Sequence, residues 1–480
     1  MENSVKEKIK GIVGVRNFTD SYEDRLCYSY DATAILHQLP EAVTFPESEE
    51  QISNLVTLAN EAEFNIVPRG SGTGLSGGSI PVENSIVIVM TRWNKILEVD
   101  SRNLTATVQP GVVTAQLQSE VEKLGLFYPP DPGSMNVCTI GGNVANNAGG
   151  LRALKYGVTK NYVLGTEMIL PNGDLLKTGG KNVKDVAGYN LRDFVVGSEG
   201  TLGIITKILL KIIPLPTESI TILAYFDKLH DSAESVSEII ASKILPCMME
   251  FLDNTTINCV EDYTHVGLPR QSEAVLLIEI DGRGSIVRED AETVRRILTK
   301  NHASFIRVAN SAQEALLLKT ARRSAFSALA RRRPTTILED ATVPRSELPV
   351  IIEKVTEAGK KFDVTFGNFG HAGDGNLHPT CLTDERDSAE INKAHRAFDF
   401  IFNEAIKLGG TITGEHGTGL AKKQFLEKVA GIPGVEMMKK IKKSIDENNI
   451  LNPGKIFSIS PRCEGSLPNR REQIKEFQQL

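Results

Sequence analysis

The stretch Pro68-Arg-Gly-Ser-Gly-Thr-Gly-Leu-Ser-Gly-Gly78 exposes an unusual amount of bare backbone, because five of its eleven residues are glycine. Consecutive amide groups in such a turn form a concave nest for an anion, and the missing side chains let a pyrophosphate approach the backbone. A flexible loop without a ligand is the alternative interpretation of these residues taken alone. We predict a phosphate cradle at residues 68–78.

The residues on either side of the cradle indicate how it is held. Gly72-x-Gly74-x-x-Gly77 matches the spacing of the dinucleotide fingerprint, which requires a strand before the loop and a helix after it. Residues 64–67 predict the strand, but Pro81 interrupts the chain and residues 85–90 predict a second strand. The cradle is therefore expected between two strands, outside a Rossmann fold.

Length and composition limit the class of protein. A chain of 480 residues predicts two or three domains, and a net charge of -6 gives no basic footprint for nucleic acid. No segment approaches the ~20 apolar residues of a membrane span, so we expect a cytoplasmic protein without a transmembrane segment. The six cysteines show no CxxC pairing, which argues against a zinc ribbon, an iron–sulfur cluster or a disulfide framework. Reduced, mostly buried thiols are expected.

The pattern of predicted helices and strands divides the chain into four segments. Residues 1–40 form a helix and an irregular arm, and residues 41–216 alternate short strands and helices in an α+β domain. Residues 217–457 alternate strands with longer helices, which predicts helices on one face of an antiparallel sheet and a last helix at 421–448. Residues 458–480 are a polar tail.

Two more runs of small and polar residues lie in the α+β domain, at 132–150 and at 195–204. Turn chemistry alone would account for either run. Together with the cradle, they are expected to line opposite walls of an elongated ligand.

Three of the eight histidines fall in two glycine-rich segments, His371 and His378 in one and His416 in the other. Two strands joined by a turn at residues 373–375 would bring His371 and His378 across from each other. With Glu415 they would form a divalent-metal site for zinc, iron or manganese. Polar histidines packed in glycine-rich turns are the alternative.

Two further side-chain types complete a possible reaction centre. His416 is the best candidate for a general base, because imidazole titrates near neutral pH. Arg322-Arg323 and Arg331-Arg332-Arg333 offer guanidinium groups that could bind a substrate carboxylate in two-point fashion, although most are expected on a solvated helix face.

With these motifs in view, the chain resembles the FAD-linked 2-hydroxyacid dehydrogenases, the family of the glycolate oxidase flavoprotein subunit, D-lactate dehydrogenase and D-2-hydroxyglutarate dehydrogenase. The resemblance spans about residues 40–457. It rests on Pro68-Arg-Gly-Ser-Gly-Thr-Gly74, Pro130-Asp-Pro132, Ile140-Gly-Gly-Asn143, Gly197-Ser-Glu-Gly-Thr-Leu-Gly203, His371-Ala-Gly-Asp-Gly-Asn-Leu-His378, Gly414-Glu-His-Gly417 and Asn452-Pro-Gly-Lys455.

The resemblance implies a vanillyl-alcohol-oxidase (PCMH-type) FAD-binding domain, then a ferredoxin-like substrate domain with a helical C-terminal cap. Thr73 stands where members with covalent flavin often carry histidine, so non-covalent FAD is expected. The implied FAD-binding residues are Pro68, Arg69, Gly70, Ser71, Gly72, Thr73, Gly74, Gly77, Pro132, Ser134, Thr139, Gly141, Gly142, Asn143, Asn146, Gly149, Gly150, Gly197, Glu199, Gly200, Ile204 and Asn452.

The family pattern also implies metal ligands at His371, His378 and Glu415, with His416 as the base. Arg322 falls where members place a carboxylate-binding arginine. Many relatives have Trp three residues earlier, where this chain has Lys319, and this departure bears on the shape and charge of the substrate pocket.

The activity expected from these features is oxidation of a small D-2-hydroxy acid, D-lactate or glycolate, to the 2-oxo acid, with hydride transfer to flavin N5. The electron acceptor would be a quinone, an electron-transferring flavoprotein or an iron–sulfur subunit. The alternatives are a non-redox flavoprotein of the alkyl-dihydroxyacetonephosphate synthase type, a metal-dependent hydrolase without flavin, and an electron-transfer or scaffold subunit.

Overall fold

The computed structural model describes residues 1–458; the predicted tail from residue 459 onward, with Cys463, lies outside the described residues. The helices are α1 (Asn3–Val13), α2 (Tyr22–Cys27), α3 (Glu49–Ala62), α4 (Thr114–Glu122), α5 (Ile140–Asn146), α6 (Ala153–Tyr156), α7 (Leu191–Val195), α8 (Leu229–Ala241), α9 (Asn254–Thr264), α10 (Ser285–Lys300), α11 (Ala312–Arg323), α12 (Ala325–Ala330), α13 (Leu348–Phe362), α14 (Ser388–Lys407) and α15 (Leu426–Ile445).

The strands are β1 (Phe18–Thr19), β2 (Ala42–Thr44), β3 (Asn65–Arg69), β4 (Ser85–Val89), β5 (Ile96–Asp100), β6 (Thr105–Val108), β7 (Leu126–Phe127), β8 (Val163–Ile169), β9 (Leu175–Gly179), β10 (Ile204–Lys211), β11 (Ile213–Pro214), β12 (Glu218–Phe226), β13 (Met248–Asp253), β14 (Ala274–Gly282), β15 (Phe305–Val308), β16 (Thr335–Leu338), β17 (Ala341–Thr342), β18 (Thr365–His371) and β19 (Asn376–Thr383). No helix among the described residues is both long enough and apolar enough to span a bilayer.

The chain folds into two compact units. The first contains residues 1–148, residues 158–214 and the described chain from residue 415 onward. The second contains residues 149–157 and 215–414. The chain therefore leaves the first unit briefly at residues 149–157 and again after residue 214, and it returns finally at Glu415.

A four-stranded sheet in the first unit carries the predicted cradle at residues 68–78, which we call the glycine loop. Its order is β1-β2-β4-β3, and β4 runs parallel to both of its neighbours. All five residues of β4 are buried, as expected for a central parallel strand, which explains its uninterrupted apolar sequence. The predicted arrangement of strand, glycine loop and strand is confirmed.

Helix α3 and the returning chain complete the core of this sheet. The Ser48 hydroxyl caps α3 by accepting a hydrogen bond from the amide of Gln51, and the helix then buries an apolar face that includes Leu55. Leu451 forms a parallel bridge with Ile66 of β3 and is fully buried in the same apolar cluster. Residues far apart in sequence thus share one core.

A second sheet of the first unit has the order β5-β6-β10-β8-β9, and all its pairs are antiparallel. Helix α7 ends at Val195 and β10 begins at Ile204, so the small-residue run at 195–204 lies just before a central strand. The short strands β7 and β11 form a separate pair.

An eight-stranded sheet forms the second unit, with the order β15-β12-β14-β13-β18-β19-β16 and β17 paired to β19. Successive strand residues point to opposite faces. A side chain at Gly367 would meet Leu329 of α12, while Phe366 lies beside Gly359 of α13. Helices therefore cover both faces of this sheet, and the prediction that they cover one face was wrong. The apolar runs in the sequence do not distinguish a strand buried on both faces from a strand buried on one.

The predicted histidine hairpin is confirmed. β18 pairs with β19 in antiparallel register, with Phe369 opposite His378 and His371 opposite Asn376. Residues 372–374 form a short 3₁₀ turn, and Gly375 closes it at φ +72°. Glycine is needed there because a Cβ would come within 2.2 Å of the Val343 carbonyl oxygen.

The last helix is shorter than its sequence suggested. The expected helix at 421–448 is observed only over α15, and Gly431 interrupts it at φ +70°. Pro433 explains the break, since it lacks an amide hydrogen and clashes with the preceding helical turn. Of the described cysteines, Cys27 is exposed, and Cys138, Cys247, Cys259 and Cys381 are buried free thiols.

Candidate active site

The glycine loop between β3 and β4 presents unused hydrogen-bond donors. Among the described residues, no protein acceptor takes a hydrogen bond from the amides of Ser71, Gly72, Thr73 or Gly74. The Ser71 hydroxyl is itself tied down, donating to the Val137 carbonyl at 2.7 Å. A loop with its ends fixed and its amides free suits a pyrophosphate group.

Arg69 supports this loop. Its side chain is buried, and its guanidinium packs against Gly72. A Cβ added at Gly72 would lie only 2.1 Å from the Arg69 Nη2. Gly72 also adopts φ +73°, which disfavours any other residue. The Arg69 Nη1 donates to the Ser79 carbonyl at 3.4 Å, so this predicted FAD-binding residue braces the loop from within the protein.

Helix α5 forms the neighbouring wall. Thr139 caps it by accepting a hydrogen bond from the Gly142 amide at 3.3 Å, and a Cβ at Gly70 would lie only 2.4 Å from the Thr139 hydroxyl oxygen. Gly141 packs against Pro110, and Asn143 donates to the Thr114 hydroxyl at 2.7 Å. The structure thus brings the first two predicted FAD segments together.

Glu199, in the third segment, is a buried carboxylate that holds the returning chain. It accepts hydrogen bonds from the amides of Thr418 and Gly419, both at 2.7 Å. Burial raises the pKa of Glu199, although these amides oppose the shift. The Asn452 side chain donates to the carbonyls of Gly78 at 2.8 Å and Glu199 at 2.7 Å, joining the loop to this segment.

The backbone of His416 is also attached to the glycine loop. Its carbonyl oxygen accepts hydrogen bonds from the Ser76 hydroxyl at 2.9 Å and from the Asn146 side chain at 3.4 Å. The side chains of Glu415 and His416 approach to 4.0 Å and are largely buried. The backbone of the predicted base therefore lies beside two predicted FAD-binding regions, the glycine loop and α5.

Lys455 is a buried cation that was not predicted as a site residue from the sequence. Burial lowers the pKa of Lys455 to about 7, while Asp31 and Glu199 oppose that shift. Its Nζ donates to the Ile80 carbonyl. The sequence feature that could have identified Lys455 is its position in the motif Asn452-Pro-Gly-Lys455.

In the second unit, His371 and His378 lie on one face of the β18–β19 hairpin with ring centroids 5.1 Å apart. Both side chains are buried. His371 Nδ1 contacts Glu250 Oε1 at 2.7 Å, so Nε2 is the atom that His371 would offer to a metal. His378 Nδ1 lies 3.8 Å from Asp340 Oδ1.

Asp340 is a second buried carboxylate that sequence reasoning missed. Its oxygens accept hydrogen bonds from the Asn376 side chain, from the Thr413 hydroxyl and from the Gly414 amide, the last two at 2.7 Å. These contacts fix the last two residues of the second unit, directly before Glu415.

Arg322 is buried, unlike the exposed Arg331, Arg332 and Arg333. Its Nη2 lies 2.5 Å from Glu250 Oε2, and its guanidinium stacks 4.8 Å from the Phe369 ring centre. Burial raises the pKa of Glu250, but Arg322 and His371 lower it more, so the net pKa lies below its ordinary value. Glu250 was not predicted as a site residue.

Lys319, where many relatives carry Trp, is paired inside the protein. Its Nζ lies 2.8 and 3.1 Å from the two carboxylate oxygens of Glu279. Both side chains are mostly buried. The added positive charge at residue 319 is therefore matched by a carboxylate on β14.

Two family models match the two parts of the chain that carry these features. Residues 40–179 match the family model described as "FAD binding domain", and residues 215–456 match the one described as "FAD linked oxidases, C-terminal domain". The chain belongs to the FAD-linked oxidase family. The free amides of the glycine loop fit the FAD that this family binds, and the chain is an FAD-linked oxidoreductase.

Named relatives cover nearly the whole chain. The glycolate oxidase subunit GlcD of Bacillus subtilis (strain 168) is 51% identical over 95% of this chain and 97% of its own. The protein of the same name from Escherichia coli (strain K12) is 36% identical over 92% and 88%. A D-lactate dehydrogenase of Anaerostipes hadrus is 34% identical over 89% and 92%.

Solved structures confirm the predicted type of FAD fold. p-Cresol methylhydroxylase with bound substrate superposes with a TM-score of 0.79 at 18% identity, over 95% of this chain and 97% of the other. An alkyldihydroxyacetonephosphate synthase superposes with a TM-score of 0.74 at 20% identity, over 94% and 86%. At these identities the likeness concerns the fold alone.

Proposed function

We propose that this FAD-linked oxidoreductase is a dehydrogenase that oxidises a small D-2-hydroxy acid, D-lactate or glycolate, to the 2-oxo acid. The observation that carries the proposal is the 51% identity, over 95% of the chain, to a protein named glycolate oxidase subunit. The likeness to the non-redox synthase is limited to 20% identity, which favours the redox activity.

FAD would be held without a covalent bond by the glycine loop, α5 and the segments around Glu199 and Asn452. The free amides of Ser71–Gly74 would bind the pyrophosphate, while Arg69, Glu199 and Asn452 would keep the surrounding backbone in place. When bound, FAD supplies the redox chemistry by accepting the α-hydrogen of the substrate as hydride at N5.

Arg322 would bind the substrate carboxylate, because a guanidinium recognises a carboxylate through two parallel hydrogen bonds. His416 would accept the hydroxyl proton as general base, and the hydrogen bonds to its carbonyl would hold its backbone in position. The proton thus ends on the imidazole of His416, and the chain need supply no other acid or base for the oxidation.

A divalent ion, zinc, iron or manganese, would be held by His371, His378 and Glu415. The buried histidine pair supports this proposal, since two imidazoles and one carboxylate are a common ligand set for these metals. The ion would polarise the substrate hydroxyl and make its proton easier to remove.

The electrons would pass onward to a partner, an electron-transferring flavoprotein or an iron–sulfur subunit, in the cytoplasm. The word "subunit" in the names of the Bacillus and Escherichia relatives supports a protein partner. Purification of the tagged chain from its own cells, followed by identification of co-purifying flavin or iron–sulfur proteins, tests this part.

Anaerobic mixing tests the activity itself. The purified protein should show a two-band flavin spectrum, and D-lactate or glycolate should bleach it, whereas L-lactate should act far more slowly. Pre-incubation with a chelator should slow the bleaching if the metal assists. Oxidised flavin that survives every small 2-hydroxy acid would contradict the proposed function.

A further inference from the structure

Glu250 is fully buried and divides its two carboxylate oxygens between two groups of the proposed reaction centre. Oε1 lies 2.7 Å from Nδ1 of His371, and Oε2 lies 2.5 Å from Nη2 of Arg322. The first partner is a proposed metal ligand and the second is the proposed carboxylate-binding residue. One side chain therefore touches both.

The position of Glu250 is set by rigid structure. It lies on β13, directly opposite His371 in the antiparallel pairing of β13 with β18. Arg322 reaches it from the last turn of α11, and Phe369, two residues before His371 on the same face, stacks on the guanidinium. Two strands and a helix thus converge on one carboxylate.

We propose that Glu250 is a positioning residue that orients His371 for metal binding and Arg322 for substrate binding at the same time. The proposal rests on the proposed function. A carboxylate bound to one ring nitrogen fixes the tautomer and rotation of a metal-binding histidine and makes the other nitrogen a better ligand. The same carboxylate holds one arm of the guanidinium, which sets the plane of the remaining donors.

The chain offers a matched control in the pair Glu279–Lys319. Glu279 lies on the adjacent strand β14, opposite Met248 and diagonal to Glu250, so both carboxylates project from one face of the sheet. Lys319 precedes Arg322 by one turn of α11. Each pair therefore joins the same helix to the same sheet, but neither Glu279 nor Lys319 is a proposed ligand.

The test compares Glu250→Gln with Glu279→Gln in the full-length, FAD-loaded protein. Affinity for Zn²⁺, measured by competition with a chromophoric chelator, should fall about 10–100-fold in Glu250→Gln. The KM for D-lactate or glycolate should rise more than tenfold in the same variant. Glu279→Gln should keep the Zn²⁺ affinity within about twofold of wild type, and all three proteins should keep FAD.

The outcomes separate the two proposals. If wild type binds Zn²⁺ and is reduced by substrate, while Glu250→Gln matches wild type in both measurements, the role of Glu250 is refuted and the proposed function stands. A change in only one measurement refutes the shared role. If wild type neither binds Zn²⁺ nor is reduced, the proposed function fails and the role of Glu250 fails with it.

A third variant covers the case in which Glu250→Gln does not fold. Glu250→Asp keeps the charge but shortens the side chain by one methylene group, so it cannot reach both partners at their present distances. It should show the same two losses to a smaller degree. Wild-type values for both Zn²⁺ affinity and KM in Glu250→Asp would refute the proposal.

Discussion

The hydroxyl of Ser76 donates a hydrogen bond to the carbonyl oxygen of His416 at 2.9 Å. Ser76 belongs to the glycine loop that we propose holds FAD, and His416 is the proposed base. The Asn146 side chain reaches the same carbonyl at 3.4 Å. Side chains from the regions that would bind the cofactor therefore also hold the backbone of the residue that would remove the substrate proton.

Ser76→Ala should slow flavin reduction by about fivefold while leaving FAD bound, because one hydrogen bond worth about 1 kcal/mol no longer holds the backbone of His416. Stopped-flow bleaching with D-lactate measures the rate, and the visible spectrum measures FAD content. Ser237→Ala, which removes a similar hydroxyl-to-carbonyl bond within α8, should leave the rate unchanged. An unaltered rate in Ser76→Ala would contradict the positioning role.

Metal binding and proton removal should separate between neighbouring residues. Glu415→Gln replaces an anionic oxygen with a neutral one, so it should weaken metal binding, while FAD remains because the glycine loop is untouched. His416→Ala should keep the metal and FAD but slow flavin reduction by ~10²–10⁴-fold. Metal content by mass spectrometry and stopped-flow rates distinguish the two. Loss of metal in His416→Ala as complete as in His371→Ala would show that the assigned roles are wrong.

Gly141→Ala should reduce FAD content by disturbing the wall beside the glycine loop. A Cβ there would lie 2.5 Å from the Pro110 side chain and 2.9 Å from its carbonyl oxygen, so α5 must shift. Such overpacking costs roughly 1–3 kcal/mol. The FAD-to-protein ratio and the melting temperature check this. Gly180→Ala, whose Cβ would meet nothing within 4 Å, is the control, and equal FAD content in both variants would count against the prediction.

Asp253 should make the stability of the protein depend on pH. Burial raises the pKa of Asp253 from 3.8 to about 6. Because the folded state keeps the proton to a higher pH than the unfolded state, this group lowers the free energy of unfolding as pH rises from about 4 to about 6, by about 3 kcal/mol in all.

Asp253→Asn removes this titration while keeping a side-chain oxygen for the amide of Thr256, which Asp253 caps at 2.8 Å. Denaturant unfolding at pH 4, 5, 6 and 7 should show wild type losing stability relative to the variant across that window. Asp262→Asn, at an exposed position of the same helix, should run parallel to wild type. A constant difference between wild type and Asp253→Asn at all four pH values would refute the prediction.

Local chemistry made part of the site predictable from sequence. The glycine loop was placed correctly between two strands, because Pro81 and the apolar run after it exclude a helix whatever the rest of the chain does. The hairpin of His371 and His378 was also predictable, since Gly373 and Gly375 favour a turn between two short apolar runs.

The supporting carboxylates could not be found in the same way. Glu250 and His371 are 121 residues apart, and Glu199 and Gly419 are 220 apart, so neither pair leaves a local pattern. A charged residue in a strand reads as a solvent-facing position until its buried partner is known. The prediction that helices cover one face of the second sheet failed for a related reason, because periodicity does not reveal what lies on each side.

The bridge between Ile66 and Leu451 bears on how the protein is made. A ribosome adds Ile66 early in translation and Leu451 much later, near the end of the described chain, yet the two residues form one buried β-bridge. Asn452, which ties Gly78 to Glu199, emerges at the same late moment. The nascent chain therefore carries an unfinished flavin-binding unit until these late residues have emerged, and we expect FAD to be taken up only after Leu451 and Asn452 have joined that unit.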